Sequence, residues 1–545
     1  MTTAAGAGAA GARGADTEKF LELPRHASIR LALSLRALAP WLAATVVLAV
    51  GLAIIEPFPV GVAHDDGLYV ILAKSLATRQ GYRWLHLPGA PMATHYPPGY
   101  PALLALLWLL FPSFPANVLA FKVANACCAA VAAATFAQFL RVRFDMQPAG
   151  SAIFAVIALL GIPTLTLSVL VMSEPLFLAL LLAVLFFAER AVAAEHLRRR
   201  HVLLLGVLAG LSALVRSHGI ALVVALPMVL VLRRKQLRHA ALCLAAGLAP
   251  VVPWMIWVGR HNDELRPFMR GSYGSYTGWI AAAVHTDGIG VLGRTVLRTS
   301  AEIGAMFATL GAPSLGMALR VTALLSLGAL AAVGCVALWR GAPITTLFLA
   351  LYTLITLFWP FAPTRFLWAV WPLLLLSPVL GAREILRWAP VAPTRRVLRI
   401  AVLVLTAGLA TGYATYTVRG YRGRWWASIP RSRAADLRSL VLWAARRSSP
   451  TDLLAVEAES AVYLYAGRAT VPVHTFTVEQ YFKPRTAQED AAVLRDVLAH
   501  YPVRYVAVSS NDMRIAAREL ATAHPPELVV TDTYPGGLVL TPTPR

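Results

Sequence analysis

Long apolar runs recur from Trp41 to Ala414, separated by short polar breaks. The better ones approach the ~20 residues that a helix needs to cross a hydrocarbon core. With no water there to satisfy backbone N–H and C=O groups, such runs must be helical. They fall at about 41–56, 117–140, 150–172, 174–188, 201–215, 219–232, 239–258, 317–338, 344–359, 366–380 and 398–414. A further run, 102–111, is shorter and is bounded by Pro112 and Pro115. Whether it crosses fixes the side of everything after it. If it does not, Arg141 and Arg143, Arg190 with Arg198 to Arg200, Arg233 to Arg238, Arg340, and the block from Arg383 to Arg399 all face one side. That is the cytoplasmic side under the positive-inside rule. If it does cross, every block is reversed. The pattern therefore predicts a re-entrant or interfacial helix over 102–111, about 11 full spans, and an external C-terminus.

Outside these spans the chain divides into three polar regions. Residues 1 to about 24 are rich in Ala and Gly, are expected to lack fixed structure, and lead into Arg25, Arg30 and Arg36 ahead of the first span. The N-terminal tail, 1–39, is therefore placed in the cytoplasm. Gly61-Val62-Ala63 loosely resembles a signal-peptidase site, but Glu56-Pro57-Phe58-Pro59 intervenes after a long apolar run, which favours a retained span. The transmembrane domain is placed at 40–414, with a first external loop at 57–116 and a second large one at 259–316. In 415–545 the pattern changes: short apolar runs at Leu453–Val456 and Tyr505–Val508 alternate with helical stretches at about 487–500 and 511–523. This predicts a small external α/β domain. Gly536-Gly537 is read as a hairpin turn; there is no Gly-rich phosphate loop and no repeat of fixed period.

Composition narrows the class. The 545 residues are 58% hydrophobic and 14% charged, and the formal net charge is +22; the mean hydropathy is +0.64. The excess of positive charge lies in short Arg-rich blocks between apolar runs, so it reads as membrane topology and excludes a nucleic-acid binder. The four cysteines lie within apolar runs, without disulfide or zinc spacing.

With this topology, candidate chemistry collects on the external face. His64-Asp65-Asp66-Gly67 opens the first loop, which ends in His95-Tyr96-Pro97-Pro98-Gly99-Tyr100-Pro101. Glu174 sits in the next external turn, Arg216 in Arg216-Ser217-His218-Gly219, Tyr273 in the second large loop, and Arg365 in Pro363-Thr364-Arg365-Phe366. Ionisable groups at membrane depth are costly and are functional candidates by default. Each also has a simpler explanation. An Asp pair can cap a helix, Glu174 before Pro175 can complement a helix dipole, and arginines can snorkel to headgroups. Tyr273, Tyr276 and Trp279 can form an interfacial belt or stack on a sugar. His64, His86 and His95 lack any metal-ligand spacing.

Asp65-Asp66-Gly67, Gly81 and the Tyr96–Pro101 motif before an apolar run resemble the first external loop of GT-C superfamily membrane glycosyltransferases. The likeness is to the bacterial branch with protein O-mannosyltransferase-like and aminoarabinose-transferase-like enzymes, and it extends through Glu174, Arg216 to Gly219 and Thr364-Arg365-Phe366, about 40–380. It implies a polytopic α-helical fold with a polyprenyl-phosphate sugar as donor, and a lipid, glycan or protein as acceptor. It implies catalytic roles for Asp65 with Asp66 beside it, and donor-phosphate contacts for Arg365 with Arg216 behind it. Acceptor or substrate positioning is expected of Glu174, His95, Tyr96 and Tyr273. Glu174 stands where the family often has Asp. No cofactor is implied, and divalent-metal dependence is left open because family members differ.

The chemistry agrees without the family name. Displacing a lipid phosphate from an anomeric carbon needs a base for the acceptor and cations for the departing phosphate. The expectation is an inverting glycosyltransferase of the cytoplasmic membrane, working on its external face. A transporter or flippase for a lipid-linked substrate is the first alternative; it would place charges in mid-span and show half-repeats. A non-catalytic scaffold that presents the C-terminal domain is the second.

Overall fold

The computed structural model describes residues 25–313, 316–388, 392–475 and 485–544. The segment 1–24, expected to lack fixed structure, lies outside them. The protein is a helical bundle carrying a C-terminal α/β domain. Among the described residues, six helices are long and apolar enough to cross a membrane, or seven if Pro148–Leu160 and Ile162–Ser168, bent by 62°, are one span. The sequence expectation of about 11 counts shorter apolar helices as well. Gly99–Leu110 has 12 residues, roughly 18 Å of helix, which is well short of a hydrocarbon core.

The basic ends of the helices meet. Arg143 Nε donates to Gly341 O (2.8 Å), Arg383 Nη1 to Phe144 O (2.6 Å), Arg233 Nη2 to Trp339 O (2.8 Å) and Arg234 Nη2 to Ala194 O (2.9 Å). These guanidinium groups satisfy helix-end carbonyls that have no partner within their own helices. Glu174 opens helix Glu174–Ala193 and Arg216 follows helix Arg199–Val215, so both lie at the opposite end of the bundle.

Two polar residues one turn apart on helix Val118–Phe144 shape that opposite end. Lys122 Nζ donates to Glu56 O (2.7 Å) and Phe58 O (2.8 Å), fixing the chain as it leaves the first helix. Asn125 Nδ2 donates to Leu170 O (2.6 Å) and Met172 O (3.0 Å), and its Oδ1 accepts from Tyr100 Oη (3.2 Å). These bonds hold the non-helical segment that delivers Ser173 and Glu174. Both side chains are buried, and leaving either set of backbone carbonyls unpaired would cost about 1–3 kcal/mol per group.

Helix Ala392–Arg422 runs past the boundary expected at 414. Gly423 and a left-handed Arg424 break it, and helix Trp425–Arg447 then packs Leu440, Trp443 and Ala444 onto the sheet. The sheet order is β2-β1-β3-β5-β4, with β1 Leu453–Val456, β2 Ala469–Pro472, β3 Val503–Val508, β4 Leu528–Tyr534 and β5 Gly537–Pro542. The first three are parallel neighbours, whereas β5 runs antiparallel to β3 and β4. The β4–β5 turn places Gly536 at φ +94°, as its glycine permits.

The domain docks on the first loop through Glu459-Ser460-Ala461. A Cβ at Gly67 would lie 2.8 Å from Ser460 Cβ and 3.1 Å from Gly61 Cα. Gly67→Ala is therefore expected to destabilise the docked form by about 1–3 kcal/mol, with most of the loss recovered in Gly67→Ala/Ser460→Gly. Thermal unfolding of the two purified proteins reads this; an unchanged Tm in the single variant would refute the contact.

Candidate active site

The site begins with a strained turn. His64 has φ 64° and ψ −68°, and Asp65 N–H donates to Ala63 O at 2.9 Å across it. This is a γ-turn of the rarer, positive-φ kind, which a non-glycine residue adopts only when its surroundings hold it there. Asp66 is one such hold. It is 2% exposed, and its Oδ1 accepts from Ala63 N (3.1 Å) and Gly67 N (2.9 Å). Burial pushes the Asp66 carboxyl up to about 6, against the pull of backbone N–H groups from Gly61, Gly67 and Ala63. Asp66 thus faces its own loop, and its neighbour faces the site.

Asp65 heads helix Asp65–Ala77 and makes two strong contacts. Tyr96 Oη donates to its Oδ1 at 2.7 Å, and Arg365 Nη1 reaches its Oδ2 at 2.5 Å. Burial alone would raise its carboxyl, but the Arg365 guanidinium, His64 and the Tyr96 hydroxyl outweigh burial and hold it down at about 2. Arg365 is the bridge of the whole arrangement. Its Nε pairs with Glu174 Oε1 at 2.5 Å while its Nη1 holds Asp65. Arg216 Nη1 meets the same Glu174 Oε1 at 2.7 Å and also donates to Ser173 Oγ at 3.1 Å. Glu174 is 2% and Arg216 8% exposed, so neither charge could be held there without the other.

Around these two acids and two arginines stands an aromatic wall. Tyr69, one turn after Asp65, packs its ring 4.7 Å from Tyr96 and shares a hydrogen bond with Ser173 Oγ (3.2 Å). His218 stacks 4.7 Å from Phe366, and Tyr276 lies 5.1 Å from Trp359. His95 bonds Gly274 O through Nδ1 at 2.7 Å. Burial drops its imidazole to about 4, against the pull of that carbonyl and of Asp65, so the ring is neutral at pH 7.

Two cavities meet here. One, of about 370 Å³, is lined by Asp65, Arg216, Arg365 and the aromatic wall. The other, of about 440 Å³, opens between the first loop and the C-terminal domain. Asp65, His95, Tyr96 and Phe361 border both.

Of the sequence candidates, the structure brings together Asp65, Glu174, Arg216, Arg365, His95 and Tyr96. Tyr273 is fully buried and borders neither cavity; its Oη donates to Glu459 Oε1 at 2.7 Å and lies 3.2 Å from His86 Nε2. Sequence reasoning passed over Tyr69, Trp359 and Glu459. Tyr69 was legible as the i+4 neighbour of Asp65 on one helix face. Nothing in the sequence pairs Glu459 with a loop almost 400 residues earlier.

The chain has the fold of the GT-C superfamily of membrane glycosyltransferases, as the first-loop motif leads one to expect. The family model described as dolichyl-phosphate-mannose-protein mannosyltransferase matches residues 95–257. ArnT of Cupriavidus metallidurans bound to undecaprenyl phosphate is similar, with TM-score 0.50 and 16% identity over 95% of this chain and 98% of that one. Archaeal oligosaccharyltransferase AglB of Archaeoglobus fulgidus, in complex with an inhibitory peptide and a dolichol-phosphate, gives TM-score 0.51 and 11% identity over 90% of this chain and 71% of that one. An oligosaccharyltransferase of the same organism in complex with Zn and sulfate gives 0.50 and 12%, over 91% and 73%. No curated protein matches the sequence. In a metal-assisted reading, Asp65 and Glu174 would be the ligands. Both are instead turned onto arginines, and among the described residues no group of three or more His, Cys, Asp or Glu converges to hold an ion.

Proposed function

We propose that the protein transfers a sugar from a polyprenyl-phosphate donor to a hydroxyl of an acceptor, at the face of the membrane opposite its basic helix ends. The observation that carries this reading is the position of Asp65 on the border of two cavities, one lined by two arginines and aromatic rings, the other opening between the domains. The first suits a sugar phosphate: arginine forks take phosphate oxygens, and Tyr69, Tyr276 and Trp359 offer faces to a ring. The lipid tail would leave it between helices. ArnT, bound to undecaprenyl phosphate, and AglB, bound to a dolichol-phosphate, make this donor class the natural one to test.

In the reaction, the acceptor oxygen bonds to the anomeric carbon and its proton passes to Asp65. The bond from that carbon to the phosphate oxygen breaks, and its electron pair leaves with the polyprenyl phosphate. Arg365 and Arg216 stabilise that charge as it develops. A phosphate on Arg365 shares a guanidinium that otherwise belongs to Asp65 and Glu174, so donor binding loosens the grip on Asp65 and makes it a better base. A single displacement inverts the anomeric configuration. The face follows from the positive-inside rule, with the basic helix ends cytoplasmic.

The test is transfer by the reconstituted protein from a mixed pool of polyprenyl-phosphate sugars, with configuration read in the product; a retained configuration would sink the single displacement. Binding of the donor lipid without any turnover would favour the transporter instead. The pH profile separates the two acids. A base must be deprotonated, so with Asp65, held at about 2, kcat/KM stays flat from pH 8 to below pH 5. With Asp66, at about 6, it would halve near pH 6 and fall about tenfold by pH 5.

A further inference from the structure

The 440 Å³ cavity has an outer wall that belongs entirely to the C-terminal domain. Strands β1, β2 and β3 are parallel and end at Val456, Pro472 and Val508. Glu457, His474 and Ser510, which follow those ends, line the cavity together with Asp512. This is the crevice outside the carboxyl ends of parallel strands, where open α/β sheets place their ligands. Here it faces Asp65 across the domain boundary. Its volume falls within the range of small-molecule sites, about 300–1,000 Å³.

Two glutamates aim unspent acceptors into it. Glu459 is 2% exposed; its Oε1 takes Tyr273 Oη at 2.7 Å and lies 3.6 Å from His64 Nδ1, while its Oε2 accepts no hydrogen bond among the described residues. Glu457 is fixed by its Oε2, which accepts from Ser509 Oγ at 2.6 Å, from Ser510 N at 2.9 Å and from Ser509 N. Its Oε1 accepts none among the described residues. Both residues line the cavity, so these free oxygens are open to it, and a ligand rich in hydroxyl groups supplies the donors they lack. Charge points the same way. Glu457, Glu459 and Asp512 give this cavity three carboxylates beyond Asp65, whereas the neighbouring cavity holds Arg216 and Arg365. An anionic headgroup would meet like charge here and opposite charge next door.

We propose that the C-terminal domain supplies the acceptor half of the site, and that Glu459 and Glu457 bind vicinal hydroxyls of a neutral saccharide acceptor, to the exclusion of phosphorylated ones. This rests on the glycosyl-transfer reading. It adds the acceptor class and the residues that select it. One acceptor hydroxyl then reaches Asp65, gives up its proton there and forms the new glycosidic bond as the donor phosphate departs. The docking of Ser460 and Ala461 against Gly67 and Gly61 holds the saccharide crevice in register with Asp65.

The experiment uses the full chain in lipid nanodiscs: wild type, Glu459→Gln and Asp512→Asn. Saturation-transfer NMR measures binding of neutral di- and trisaccharides and of the same sugars carrying one phosphate, and a separate titration measures polyprenyl phosphate. The wild type is expected to bind members of the neutral set at least tenfold more tightly than their phosphate esters. Glu459→Gln should weaken neutral binding at least tenfold, and Asp512→Asn, an exposed and fold-neutral change, should shift the preference towards the esters at least threefold. Polyprenyl phosphate should bind all three proteins within twofold. Esters that bind as well as the neutral sugars would overturn the proposal; so would wild-type binding of none of them, or both variants behaving as wild type. Failure of the wild type to bind polyprenyl phosphate would defeat the donor reading instead, since saccharide binding is read without turnover.

Discussion

Asp65→Asn is expected to lower sugar transfer by about a thousandfold or more while leaving the protein folded and its affinity for polyprenyl phosphate equal to or tighter than that of wild type. A positioned general base contributes about 10²–10⁴ in rate, and Asn keeps the shape and the acceptor oxygen that Tyr96 Oη uses. What it loses is the ion pair to Arg365. That guanidinium is 31% exposed and retains Glu174, so the stability effect is small, about 0–1 kcal/mol. The rate term therefore dominates. Removing a carboxylate that competes for Arg365 also leaves the cation freer for phosphate, and a merely damaged protein would not bind the donor more tightly. Asp66→Asn is the companion. Its carboxyl serves the loop through Ala63 N and Gly67 N, bonds that an amide oxygen also accepts, so activity should stay within about tenfold of wild type. Single-turnover transfer by both variants, beside a lipid titration, decides the matter. An Asp65→Asn enzyme with more than a tenth of wild-type rate would remove Asp65 from the chemistry.

Much of this was legible in the sequence, for physical reasons. Spanning helices announce themselves because lipid demands apolar side chains over a fixed length. The C-terminal elements were legible because strand and helix periods alternate cleanly: helices at 487–500 and 511–522 and strands ending at Val456 and Val508 fall where the pattern put them. The acids and arginines were legible because charge is expensive at membrane depth. Their pairing was not. Sidedness can sort Asp65, Glu174, Arg216 and Arg365 onto one face, yet no spacing rule says that Arg365 bridges residues some 190 and 300 positions away. Nor does sequence separate Asp65 from Asp66. Their difference arises from a γ-turn at His64 that sends one carboxylate to Arg365 and folds the other under its own loop. Lys122 and Asn125 were visible only as polar interruptions of an apolar helix; their function is to hold backbone that belongs to other segments.

Arg365→Ala should have the second large effect, and it should differ in kind from the loss of Asp65. Removing the bridge frees Asp65 Oδ2 and strips Glu174 of one of its two guanidinium partners, leaving Arg216 at 2.7 Å. Because Arg216 still compensates the buried glutamate, the fold survives, and the loss falls on the donor. A charge-assisted contact to phosphate is worth about 2 kcal/mol or more, so the Kd for polyprenyl phosphate should rise at least about thirtyfold, with a weaker dependence on salt than in wild type. Arg365→Lys should recover only part of this. The arginine uses separate nitrogens, Nε and Nη1, for Glu174 and Asp65, and one ammonium cannot keep both while also taking a phosphate oxygen. The acid limb gives an independent sign. Asp65 sits at about 2 because Arg365, together with His64 and the Tyr96 hydroxyl, outweighs burial; with the guanidinium gone, the balance shifts towards burial and the carboxyl rises. Residual activity of Arg365→Ala should therefore fall at a higher pH than that of wild type, as the base becomes protonated sooner. Donor affinity unchanged within threefold would move the phosphate site to Arg216, and an acid limb unmoved by the substitution would mean that Asp65 is not the group that titrates.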